Sequence, residues 1–87
     1  MAKPLVLIVD DNEAFLGLVR QEVEELGFRV VTATNGEQAL TLFGHDKPEY
    51  IVLDFVLPDF DAVEILKRMP DGSAYGKNIT ILTCLTP

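Results

Sequence analysis

The first patterned stretch is Leu5-Val6-Leu7-Ile8-Val9, five apolar residues in a row between Pro4 and Asp10. A run so short, with no polar side, predicts a strand buried on both faces, the habit of parallel sheets. Over residues 13–26 the period changes. Phe15, Leu18, Val19, Val23 and Leu26 recur at helical spacing, with Arg20, Gln21, Glu24 and Glu25 opposite them. This predicts an amphipathic helix whose stripe of Phe15, Leu18, Val19 and Val23 is core. Asn12 suits its N-cap and Gly27 its C′ position.

Residues 28–33 form a β-branched second strand, and Asn35-Gly36 turns the chain into a short helix over 37–43 that stops at Gly44. A polar loop over 45–49, with His45 solvated in it or near the helix end, leads to a third strand, Tyr50-Ile51-Val52-Leu53, ending at Asp54. Pro58 interrupts any helix through the next loop. Asp61 caps a third helix over 62–69, closed by Pro70-Asp71-Gly72, and Ile79-Thr80-Ile81-Leu82-Thr83 reads as a fourth strand. Strict alternation, β-α-β-α-β-α-β, predicts an α/β fold on a parallel sheet.

Composition narrows the function classes. A length of 87 residues allows one small domain. Seven Lys and Arg against fourteen Asp and Glu leave a net charge of −7. So few cations cannot build a stripe that tracks phosphates, so direct nucleic-acid binding is not expected. An apolar content of 48% argues against disorder. No apolar run approaches the length of a bilayer span, and no secretory leader follows Met1. The lone Cys84 excludes an internal disulfide and a thiolate zinc cluster, and reads as a small buried apolar residue. The expectation is a cytoplasmic domain that does not act on a membrane.

The chemistry lies at the strand ends. In an open parallel sheet ligands sit beyond the carboxyl ends of the strands. Here those ends carry Asp10-Asp11, Asp54 and Thr83. Three carboxylates meeting on one sheet edge repel one another unless a cation lies among them. Carboxylate oxygens with water suit Mg²⁺, and a carboxylate beside Mg²⁺ can act as a nucleophile toward phosphorus. Asp54 stands alone at its strand end and is the better nucleophile. The Thr83 hydroxyl could donate to a phosphoryl oxygen.

With these residues in place, the chain resembles the receiver domain of bacterial response regulators. The resemblance is carried by Val9-Asp10-Asp11-Asn12, by Leu53-Asp54 with Leu57-Pro58, and by Ile79-Thr80-Ile81-Leu82-Thr83, each on the fitting element. It implies a flavodoxin-like doubly wound parallel sheet spanning residues 1–87. It also implies a phosphoryl group received on Asp54 from a histidine kinase or phosphotransfer protein, with no external substrate turned over. The resemblance assigns Mg²⁺ to Asp10, Asp11, Asp54 and the Phe55 carbonyl, and makes Thr83 the residue that moves to the phosphate. Val56 and Leu85 fall where such proteins tune phosphate loss; both are apolar, which implies slow loss.

Several positions depart from the family pattern. The chain stops after the fourth strand, so the expected receiver is incomplete, without its fourth helix, fifth strand and fifth helix. The Lys that normally contacts the phosphoryl group goes with them, and Lys77 precedes the fourth strand. Cys84 replaces a very small residue, and Asp59 and Ala62 stand where Gly is usual. Asp59 is expected to add charge to the acidic rim. A bare fourth strand, with apolar residues of strands one and three uncovered on one face, predicts that the chain either pairs with a second copy or is a piece of a longer receiver. The competing reading is a receiver-like interaction module that is not phosphorylated. An aspartyl phosphatase would carry Asp-x-Asp on the first strand end, and a flavin protein would have its phosphate repelled by Asp10-Asp11; neither fits.

Overall fold

A computed structural model describes residues 3–54, 57–69 and 79–82. The elements run β1 (Leu5–Val9), α1 (Glu13–Glu25), β2 (Arg29–Ala33), α2 (Gly36–Asp46), β3 (Tyr50–Asp54), α3 (Ala62–Arg68) and β4 (Ile79–Leu82). The strands form one sheet in the order β2-β1-β3-β4, every pairing parallel. β1 is therefore interior, and all five of its side chains are buried, as an unbroken apolar run requires. Among the described residues no helix is long and apolar enough to cross a membrane.

Period-two alternation along the strands divides the core into two layers. Leu7 and Val9 of β1 and Ile51 and Leu53 of β3 face α2 and α3, meeting Ala39, Phe43 and Ile65. Val6 and Ile8 point the other way, against Leu16 of α1 and Val30 of β2. Burial of each such aliphatic side chain stabilises the fold by about 1.5–3 kcal/mol.

Helix boundaries follow their caps. The Asn12 side chain accepts from the Phe15 N–H at 3.0 Å, and Gly27 past the end of α1 adopts φ +100, a conformation that favours glycine. α2 continues beyond Gly44, where the sequence pattern predicts its end, and so takes His45 into its last turn. A single glycine weakens a helix by about 1 kcal/mol without ending it. The stop is made by Lys47 in the left-handed region (φ 48), followed by Pro48. The Met69 cap of α3 is extended (φ −71, ψ 126), as expected of a residue before proline. The Pro70-Asp71-Gly72 closure predicted for α3 lies outside the described residues.

Two packing expectations need correction. Phe15 and Leu18 are not core: they are 38% and 67% exposed. The inward stripe of α1 is Leu16, Val19 and Val23, a spacing of three and four that aims one face at β1 and β2 and leaves Phe15 and Leu18 on the flank. On that same side of the sheet β1 is fully covered, because α1 lies over it. Among the described residues, β3 leaves apolar positions open there, with Tyr50 42% exposed and Val52 half-buried. Ala62 is fully buried in the layer under α3, so its methyl group fills core space where a glycine would leave it empty.

Candidate functional site

The sheet register builds the site. Val9 of β1 pairs with Leu53 of β3, so the residues that follow, Asp10 and Asp54, emerge side by side at the carboxyl ends of neighbouring strands. Asp11 comes next in the turn into α1. One carboxylate oxygen from each of Asp10, Asp11 and Asp54 lies within 4.8 Å of the others. The strand-end convergence expected for these three is thus present. Asp10 is held by an Asx turn, its Oδ1 accepting the Asn12 N–H at 2.9 Å. Asp54 is 8% exposed, the one buried charged side chain among the described residues.

Burying a carboxylate beside two others is costly without a compensating positive charge. The donor set is all oxygen, hard and anionic, which fits Mg²⁺ and fits poorly with the softer metals that prefer His or Cys. The chemistry of the residues present therefore matches the cation expected from the sequence. Leu82, the last described residue of β4, is the register partner of Asp54. Phe55, Val56, Lys77, Thr83, Cys84 and Leu85 lie outside the described residues.

An open groove of about 750 Å³ borders the cluster, with Asp11, Asn12, Thr34, Asn35, Pro58 and Asp59 along it. Asp59 does not simply add charge to this rim. Its Oδ1 accepts the Gly36 N–H at 2.7 Å and the Phe60 N–H at 2.9 Å, and its Oδ2 accepts the Glu37 N–H at 2.9 Å. The Asn35 side chain accepts the Gln38 N–H at 2.8 Å. Two side chains thus satisfy the first three helical N–H groups of α2, which have no partners within the helix. No local motif signals this arrangement, because Asp59 lies 23 residues from Gly36. The available hint is Asn35-Gly36 opening the helix with a residue that has no Cβ.

Burial pushes the Asp59 carboxyl up, but the backbone N–H groups of Gly36, Glu37, Asp59 itself and Phe60 outweigh it and hold the group below its ordinary value of 3.8. A lowered folded-state value means the contribution is fully present above 3.8 and is lost as pH falls through that lowered value. Melting curves across the acid range are therefore expected to fall less steeply for Asp59→Ala than for the parent chain below about pH 4. Equal steepness would show that the carboxylate is not linked to folding.

Comparison with known proteins places this geometry. The family model for the response regulator receiver domain matches residues 6–86. The alkaline phosphatase synthesis transcriptional regulatory protein PhoP of Bacillus subtilis is 41% identical over 64 residues, which cover 74% of this chain and 27% of that protein. Sporulation initiation phosphotransferase F of the same organism is 36% identical over 69 residues, 79% of this chain and 56% of that one. The solved structure of chemotaxis protein CheY4 from Vibrio cholerae superposes with a TM-score of 0.85 at 29% identity, covering 99% of this chain and 72% of the other. This chain thus spans 27% and 56% of the lengths of the two curated relatives it matches here.

Proposed function

This chain belongs to the response regulator receiver domain family, and on that premise we propose that it is a phosphoacceptor module of two-component signalling with Asp54 as the acceptor. Members of this family interact with histidine kinases or phosphotransfer proteins, and either would be the donor here. The observation that carries the reading is the meeting of Asp10, Asp11 and Asp54 at the ends of β1 and β3.

In the proposed reaction an Asp54 carboxylate oxygen attacks the phosphorus of a donor phosphohistidine. A P–O bond forms as the P–N bond breaks, and the electron pair leaves on the imidazole nitrogen. Asp10, Asp11 and Asp54, with the Phe55 carbonyl, would hold Mg²⁺, which when bound neutralises charge on the phosphoryl oxygens. The Asx turn at Asp10 orients its carboxylate for this role. The buried base of Asp54 fixes the nucleophile on a strand rather than on a loop. Thr83 would contact the transferred group. The chain takes up a phosphoryl group but turns over no external substrate, and it works in the cytoplasm beside its donor.

Phe15 and Leu18, exposed on the first two turns of α1, supply an apolar anchor for that donor. Leu18→Asp is expected to slow transfer from a phosphohistidine protein by about tenfold or more, as loss of an apolar anchor does. Uptake from a small-molecule donor should be unchanged. A parallel fall in both rates would remove Leu18 from the docking surface.

The direct test is intact mass after incubation with Mg²⁺ and a small-molecule phosphodonor, with Asp54→Ala as control. Gain of one phosphoryl group by the parent alone is the expected result. Absence of any gain, with Mg²⁺ still raising the melting temperature, would favour the receiver-like interaction module that is not phosphorylated.

A further inference from the structure

We propose that Asp59 is a positioning residue for the acidic cluster: it holds residues 57–60 against the start of α2, so that the cation-binding oxygens keep their spacing. This rests on the reading of Asp10, Asp11 and Asp54 as the Mg²⁺ ligands.

Residues 57–60 are fixed at successive points. Leu57 is buried in the layer under α2 and α3, and its N–H donates to the Phe60 carbonyl at 3.2 Å. Asp59 then reaches across to α2 and takes the Gly36 and Glu37 N–H groups on its two oxygens. Hydrogen bonds to an ionised acceptor are roughly twice as strong as neutral ones. The helix N-terminus also favours negative charge.

Gly36 makes the approach possible. A Cβ at that position would fall 2.5 Å from Cδ2 of Phe60 and 3.0 Å from Oδ1 of Asp59. Phe60 is held from its far side as well, with the Arg68 guanidinium carbon 4.4 Å from its ring centroid and Arg68 Nε donating to Glu64 Oε1 at 3.1 Å. The loop is thus clasped between the start of α2 and the body of α3. Asp59 and Asp11 border the same groove, so the clasp and one member of the cluster share that surface. Loss of the clasp leaves residues 57–61 held through Leu57, the packing of Phe60 and the Asp61 cap, without the link to the start of α2.

The test is calorimetric titration of the 87-residue chain with Mg²⁺, alongside hydrogen exchange at the Gly36 and Glu37 amides in metal-free buffer. Asp59→Ala is expected to weaken Mg²⁺ binding by about tenfold, the low end of what displaced outer partners of a metal ligand cost. Asp59→Asn keeps one acceptor for Gly36 and Phe60 and should lose only about threefold. Glu37→Gln removes a charge of the same sign from the groove without touching the clasp, and should change affinity by less than about twofold in physiological salt.

Equal losses in all three variants would mean that charge alone acts, and would overturn the positioning role. Unchanged affinity in Asp59→Ala with faster exchange at Gly36 and Glu37 would overturn it too, while leaving the metal site standing. Absence of Mg²⁺ binding by the parent would overturn the metal reading and this role together. If Asp59→Ala does not fold, Asp59→Asn against Glu37→Gln decides the matter.

Discussion

Asp54→Asn is expected to melt higher than the parent chain in metal-free buffer and to lose all of the stabilisation that Mg²⁺ gives the parent. Its carboxylate sits with those of Asp10 and Asp11 in a group whose oxygens lie within 4.8 Å of one another. Two unit charges at that spacing repel by about 3–4 kcal/mol at an effective dielectric near 20. Solvent at the open side of the cluster reduces this to a net gain of roughly 1–2 kcal/mol on removing one charge. For a domain of this size each kcal/mol is worth about 4–8 °C. Added Mg²⁺ is expected to reverse the order, because on the proposed metal reading its binding to the folded parent would stabilise that chain by about 2.7 kcal/mol at a hundred times Kd. Melting curves in chelator and in saturating Mg²⁺ check both halves. A variant that melts lower in chelator, or that still responds to Mg²⁺, would show that the three carboxylates do not act as one site.

Leu53→Ala is expected to bring the chain close to unfolding. Leu53 is 1% exposed, in the layer beneath α2 and α3. Truncating a leucine so buried costs about 2–5 kcal/mol, from lost transfer energy and the cavity left behind. A domain of this length has about 4–13 kcal/mol in total. Leu53 also pairs with Val9, the residue before Asp10, so any relaxation into the cavity disturbs the strands that aim the carboxylates. Urea titration should show a lower midpoint with an unchanged slope. A loss below about 1 kcal/mol would mean that the layer collapses into the space.

The strands and the site were legible in the sequence for the same reason. Leu5–Val9 can be buried on both faces only inside a parallel sheet, and right-handed crossovers then bring Asp10 and Asp54 to one edge. The rest depended on contacts between residues far apart in the chain. The phase of α1 is ambiguous in the sequence because Phe15, Leu18, Val19 and Val23 form as good a stripe as Leu16, Val19 and Val23; only docking on β1 and β2 selects the second. The end of α2 was placed at Gly44, since the left-handed Lys47 that stops it carries no glycine to announce it. Asp59 looked like one more charge on an acidic rim because its partners lie in another loop.

The division of the core into two layers bears on how the chain is assembled during synthesis. The layer beneath α1 draws its buried members, Val6, Ile8, Leu16 and Val30, from residues 6–30, whereas the layer beneath α2 and α3 needs residues as late as Met69. A β1-α1-β2 unit can therefore close while the remainder is still in the ribosome, since chains emerge at only about 5–20 residues per second. Until α2 arrives, Leu7 and Val9 of that unit face solvent on the side that α2 later covers. The nascent chain is thus most adhesive after β2 has emerged and before α2 has folded, on the side of the sheet opposite α1.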